Sequence, residues 1–107
     1  MDDALSLDGR AAIVTGAGNG LGRAEALALA AAGARLVLND LAADDVHALA
    51  DEIVAAGGQA VAVPADIGEW DTGQQLAAAA LERYGRLDIL VNNAGVLRDR
   101  MVFTIRP

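Results

Sequence analysis

The sequence contains no lysine, no cysteine and only one histidine, His47. Without cysteine there is no disulfide framework, no thiol nucleophile and no thiolate-ligated metal. A single histidine rules out a multi-histidine metal centre, so no metal site is expected. The missing lysine excludes a Walker-type phosphate loop, which needs a lysine followed by serine or threonine. Trp70, Tyr84 and Phe103 are the only aromatic residues. Basic residues are few as well: eight, all arginine, against fifteen acidic ones, for a net charge of −7. Nucleic acids and anionic membranes attract basic surfaces, so neither is expected as a partner. No apolar run is long enough to span a bilayer. Met1-Asp2-Asp3 opens the chain with acid where a secretory leader has a basic segment, and a soluble, cytoplasmic protein is expected.

The 107 residues have room for one small domain. Hydrophobic residues make up 54% and charged residues 21%, a globular mixture. Much of the apolar content is alanine, which favours helices packed closely on a sheet over an aromatic-rich core. Four short apolar runs, Ala11–Thr15, Arg35–Asp40, Gln59–Pro64 and Leu87–Asn92, lack strict alternation. They therefore read as strands buried on both faces, as in a parallel sheet. Helical patterns separate them. Over Leu21–Ala32, the residues Leu21, Ala24, Ala28 and Ala31 recur at helical spacing, and Gly33 supplies the stop. In the second segment Val46, Leu49 and Ile53 form an apolar stripe opposite Asp44, His47, Asp51 and Glu52, ended by Gly57-Gly58. In the third, Leu76, Ala80 and Tyr84 share a face before Gly85. The order βαβαβαβ predicts an α/β fold, a parallel sheet with right-handed crossovers.

The first strand runs into Thr15-Gly16-Ala17-Gly18-Asn19-Gly20-Leu21-Gly22, and a helix follows. In that context Gly16 permits the tight turn, Gly20 lets the backbone approach a pyrophosphate, and Gly22 lets helix pack on strand. The N–H groups of the helix start then face the phosphates. A plain flexible turn is the competing reading. Asp40 closes the second strand, 24 residues after Gly16. A carboxylate near this offset accepts hydrogen bonds from ribose hydroxyls and repels a 2′-phosphate, although a loop carboxylate or helix cap uses the same residue type.

The spacing T-G-x-x-x-G-x-G resembles that of the short-chain dehydrogenase/reductase family. Asn92-Asn93-Ala94-Gly95 after the fourth strand and Asp66-Ile67 after the third match two further motifs of that family, in order. The resemblance runs from about Leu7 to Met101. It implies a Rossmann-type sheet with strand order 3-2-1-4 and helices on both faces. It also implies NAD as cofactor, held by Gly16, Gly18, Asn19, Gly20, Leu21, Gly22, Asp40, Leu41, Asp66, Ile67, Asn93, Ala94 and Gly95. Asp66 would reach the adenine amino group with Ile67 beside the ring; an Asx-type turn into the third helix is compatible with that role. Gly68 stands where family members often place a capping serine or threonine. Asn93, Ala94 and Gly95 would lie along the nicotinamide-side ribose, while Asn92 ties the sheet to neighbouring backbone. NADP-preferring members carry arginine or lysine where this chain has Asn19 and Leu41, which favours NAD.

Other residues tempt and mislead. His47 sits among carboxylates on a polar helix face, a solvated position without the pocket that base catalysis needs. Tyr84 lies on the core face of its helix, and Asp88, not lysine, follows four residues on. Ser6, the only serine, precedes the first strand and can meet no histidine in a triad. Arg98-Asp99-Arg100 is a short mixed-charge run of the kind found in solvated loops. It also follows N-N-A-G as in acyl-thioester-handling members, such as 3-oxoacyl reductases and 3-hydroxyacyl-CoA dehydrogenases.

Family chemistry uses a serine and a Tyr-x-x-x-Lys pair to move a proton while hydride passes between nicotinamide and a carbonyl or alcohol carbon. With no lysine, and no serine after the fourth strand, no catalytic residue is expected here. Residues 1–107 read as the N-terminal NAD-binding part of one Rossmann domain, with the catalytic part, the small-molecule substrate site and the homo-oligomer contacts expected beyond Pro107. A stand-alone, non-catalytic dinucleotide-binding or regulatory module is the alternative. With no fifth strand foreseen, the edge of the fourth is expected to be bare and prone to self-association.

Overall fold

A computed structural model describes residues 6–93 and 101–104, the last four as backbone only. Eight elements alternate along the chain: β1 (Ala11–Thr15), α1 (Gly20–Ala31), β2 (Arg35–Asp40), α2 (Ala43–Ala55), β3 (Gln59–Pro64), α3 (Thr72–Tyr84), β4 (Ile89–Asn92) and β5 (Met101–Thr104). One sheet holds all the strands in the order β3-β2-β1-β4-β5. β1 pairs in parallel with β2 and β4, and β2 in parallel with β3. The order 3-2-1-4 is thus present. β5 extends it, running antiparallel to β4 with Ile89 opposite Thr104 and Asn92 opposite Met101. The β4 edge expected to be bare is paired.

Alternation along the strands divides the core. Ala12 and Val14 of β1 with Leu36 and Leu38 of β2 face α1 and α2, meeting Ala26, Val46, Leu49 and Ile53. Ile13 and Val37 face the other way, toward Leu76 and Ala80 of α3. The stripes read for α2 and α3 are therefore the buried ones, and His47 is exposed. Among the described residues no helix is long and apolar enough to cross a membrane.

Four details depart from the sequence reading. The α1 face of Leu21, Ala24, Ala28 and Ala31 points to solvent; Gly22 and Ala26 are the buried residues. An alanine-rich helix offers little amphipathic contrast, and close packing at Gly22 selects the inward face instead. β3 is half-buried rather than enclosed, because it is an edge strand, and it ends at Pro64, a residue that only an edge accommodates. β4 begins at Ile89, two residues later than expected. α3 starts at Thr72, so Gly68 does not cap it; the Gly68 N–H donates to Asp66 Oδ1 at 2.8 Å in an Asx turn.

At the end of the sheet opposite the glycine loop, Asp88 is fully buried. It accepts from the Ala11 N–H (2.9 Å) and from both Nε and Nη2 of Arg86 (2.6 and 2.8 Å), with Arg10 3.7 Å away. Nearby, Tyr84 donates its hydroxyl to the Leu36 carbonyl at 2.8 Å, and the Arg35 guanidinium lies 5.1 Å from the ring centre. Burial raises the Tyr84 pKa, against the opposing pull of Arg83 and Arg35. This tyrosine is a packing residue. Tyr84→Phe is expected to cost about 1 kcal/mol in chemical denaturation, the ordinary net value of one hydrogen bond.

Candidate functional site: a crevice at the carboxyl ends of the strands

In β3-β2-β1-β4 the chain winds outward from β1 in both directions, so its loops diverge where β1 and β4 meet. Such a switch point opens a crevice beyond the carboxyl ends of the strands. Four segments border it: the β1–α1 loop, Asn39-Asp40-Leu41 at the end of β2, Ala65-Asp66-Ile67 after β3, and Asn92-Asn93 at the end of β4. A cleft of about 290 Å³ is lined by residues of the first three, including Gly16, Asp40, Leu41, Asp66 and Ile67.

The loop is shaped for backbone approach. Gly16 and Gly20 have φ of 63° and 58°, in the left-handed region. A Cβ at Gly22 would stand 2.0 Å from the Gly16 carbonyl oxygen, so helix and loop touch backbone to backbone. A Cβ at Gly20 would meet nothing within 4 Å, which leaves that side open to a ligand. Asn19, the N-cap of α1, makes no side-chain cap bond, and the first turn of α1 holds no acidic residue. The positive end of α1 is therefore open to an anion. Leu21, exposed at 55%, borders the same opening.

Asp40 bridges two backbone segments. Its Oδ2 accepts from the Gly18 N–H at 2.8 Å and its Oδ1 from the Ala42 N–H at 3.1 Å. These bonds fix the carboxylate plane beside the loop while spare acceptor capacity remains on both oxygens. Asp66 is exposed and Ile67 half-buried, and Asp66 also holds Thr72 through its main-chain oxygen (2.7 Å). Asn92 Oδ1 accepts from Thr15 Oγ1 at 2.8 Å, tying β4 to β1. Asn93 Nδ2 donates to Glu25 Oε1 at 2.7 Å, and its main-chain N–H donates to Thr15 Oγ1 at 3.1 Å. Ala94 and Gly95, expected to continue this wall, lie outside the described residues, as do Arg98, Asp99 and Arg100.

Asn39 escaped the sequence reading. It is 1% exposed; its Nδ2 donates to the carbonyls of Val63 and Ala65 (both 3.0 Å), and its own carbonyl accepts from the Ala17 N–H (2.9 Å). One side chain thus joins the glycine loop to the Asp66 segment. An amide next to Asp40, inside a strand otherwise apolar, was the available signal. Its Oδ1 is buried without a hydrogen-bond partner among the described residues. On the α3 side, a more apolar groove of about 420 Å³ runs past Ile13, Leu76, Leu90 and Trp70, the last 89% exposed. Among the described residues no group of three or more His, Cys, Asp or Glu is placed to hold a metal ion.

The model of a known family, described as short chain dehydrogenase, matches residues 10–106. The chain belongs to this family. Among its short-chain dehydrogenase relatives, hydroxyacyl-CoA dehydrogenase ChsB1 of Mycobacterium tuberculosis is 53% identical over 104 residues, covering 92% of this chain and 32% of the relative. A 3-oxoacyl-[acyl-carrier-protein] reductase of Synechocystis is 44% identical over 105 residues, covering 94% and 41%. A short chain dehydrogenase structure from Mycobacterium avium superposes with a TM-score of 0.78 at 51% identity, covering 88% of this chain and 36% of that one. A 7α-hydroxysteroid dehydrogenase complexed with NADH and 7-oxo glycochenodeoxycholic acid superposes with a TM-score of 0.79 at 44% identity, covering 82% and 34%. The chain spans well under half the length of these relatives.

Proposed function

We propose that these residues form the NAD-binding part of a short-chain dehydrogenase that moves hydride between NAD(H) and an alcohol or carbonyl substrate. A 3-hydroxyacyl or 3-oxoacyl thioester is the favoured substrate class, on the names of the relatives. The observation that carries the reading is Asp40, held by the Gly18 N–H at the end of β2 with its carboxylate beside the open glycine loop. The site fits the group: the uncapped start of α1 suits a pyrophosphate, Asp40 suits ribose hydroxyls, and the cleft between Leu41 and Ile67 suits an adenine. Gly16, Gly18, Asn19, Gly20, Leu21 and Gly22 would carry the phosphates, and Asn93, Ala94 and Gly95 the nicotinamide side. NAD supplies the hydride acceptor in alcohol oxidation. The residues present here bind and orient it. With no lysine among the 107 residues, a Tyr-x-x-x-Lys proton donor would come from elsewhere in a longer, homo-oligomeric protein.

Calorimetric titration of NAD and NADP into the full chain tests this. Asp40→Ala is expected to weaken NAD about tenfold, the ordinary loss for charge-assisted hydrogen bonds, and to narrow the preference over NADP. A wild-type chain that binds no NAD, or an unchanged affinity ratio in Asp40→Ala, would reject the assignment.

A further inference from the structure

Asp40 has company against the glycine loop. A methyl group at Gly18 would stand 2.9 Å from Asp40 Oδ2 and 3.0 Å from Asp45 Cβ. Two aspartates therefore press on one loop residue, Asp40 from the end of β2 and Asp45 from the first turn of α2. The start of α2 is the positive end of a helix beside Asp40, where an added phosphate would otherwise gain from the helix dipole. Asp44 and Asp45 already fill that turn with negative charge. No nearby cation offsets them from α1: its one basic residue, Arg23, is ion-paired with Glu52 of α2. Asn19 and Leu41, on either side, are uncharged.

We propose that Asp45 is a second determinant of cofactor choice, repelling the 2′-phosphate of NADP from α2 as Asp40 does from β2. The proposal rests on reading the crevice as an adenosine-ribose site. Asp40 acts by contact, exchanging hydrogen bonds with hydroxyls. Asp45 acts through its field, because its carboxylate is exposed and no bond to a ribose is needed. Replacing Asp40 alone removes one source of repulsion and leaves the other, so such a variant keeps a residual bias against NADP. A field acting through solvent also weakens with salt, over a screening length of about 10 Å at 0.1 M.

The test measures NAD and NADP dissociation constants of the full chain carrying Asp45→Asn, Asp40→Ala or both, at low and high salt, with melting curves to confirm folding. At low salt Asp45→Asn is expected to shift the affinity ratio toward NADP about fivefold, the scale of one exposed charge near a phosphate. The double variant should exceed Asp40→Ala by a similar factor, and both gains should shrink at high salt. Asp45→Gln provides a second neutral side chain and is expected to reproduce the shift. If the wild type binds NAD while neither Asp45 variant moves the ratio more than twofold, Asp45 has no such role. A shift that is indifferent to salt also rejects the field effect. A wild type that binds neither dinucleotide overturns the site assignment itself, a result distinct from the other two.

Discussion

Gly22→Ala is expected to be strongly destabilising, because the methyl group meets backbone. The added carbon would lie 2.0 Å from the Gly16 carbonyl oxygen, 2.8 Å from its carbonyl carbon and 3.2 Å from Ala17 Cα. All three atoms are backbone, so no side-chain rotation relieves the overlap. Either α1 moves off β1, uncovering Val14 and Ala26, or the loop shifts and loses its hold on Asp40. Overpacking costs about 1–3 kcal/mol where side chains can yield, and here at least about 3 kcal/mol is expected. For a domain of this size that lowers the melting temperature by roughly 12 °C or more, with loss of nucleotide binding in the same sample. Gly73→Ala supplies the control. It sits within α3 with nothing within 4 Å of the new carbon, and the gain in helix propensity should stabilise the chain by about 0.5–1 kcal/mol. Equal melting temperatures for Gly22→Ala and wild type would disprove the backbone contact.

Asp88→Ala is expected to rank second. Its carboxylate is fully buried and accepts from Ala11 and Arg86, with the Arg10 guanidinium a charge partner at 3.7 Å. Truncation leaves the Ala11 N–H without an acceptor, a loss of about 2–3 kcal/mol for a buried donor. Asp88 should also govern acid sensitivity. Its pKa is lowered chiefly by the hydrogen bonds from Arg86, helped by the Ala11 N–H and the charges of Arg86 and Arg10, and opposed by burial. A folded-state pKa below the unfolded value of about 4 means the contribution is fully present above pH 4. It is lost as the pH falls through the folded-state value. Asp88→Asn keeps an acceptor oxygen but no charge, so its stability should fall less steeply than wild type below pH 4. Parallel acid limbs for the two proteins in urea titrations would exclude Asp88 as the group responsible.

Much of this molecule is legible in the residues, and the illegible parts have physical causes. The α2 stripe of Val46, Leu49 and Ile53 is readable because charge on the opposite face leaves one way to bury it. The α1 stripe misleads because alanine occurs on every side, and the inward face is chosen by a backbone approach at Gly22 that no periodicity records. The glycine loop and Asp40 are legible by spacing: the turn at Gly16 and the close approach at Gly22 need missing side chains, and Asp40 falls where β2 ends beside that loop. Asn39 and Asp88 do not. Each is a polar residue that ties distant segments together, Asn39 across 24 to 26 positions and Asp88 to Ala11 across 77, so local pattern reads them as interruptions. β5 is hidden for a related reason: its partner is a strand completed nine residues earlier, and four residues carry too little pattern to declare a direction.

The clamping of β1 has a consequence for how the chain comes together. Ala11 at one end is bonded to Asp88, and Thr15 at the other to Asn92, each across 77 positions. Between them β1 lies beside β4 along Ala12–Thr15. As the polypeptide emerges during synthesis, β1, β2 and β3 with their helices can assemble through nearby contacts. One flank of the earliest strand must still wait for residues near 90, and long closures are slow. The wall of the crevice that Asn92 and Asn93 form is therefore the last to be built. A pause in translation before residue 88 would leave a nascent chain with the glycine loop formed while the β4-facing edge of β1 stands uncovered.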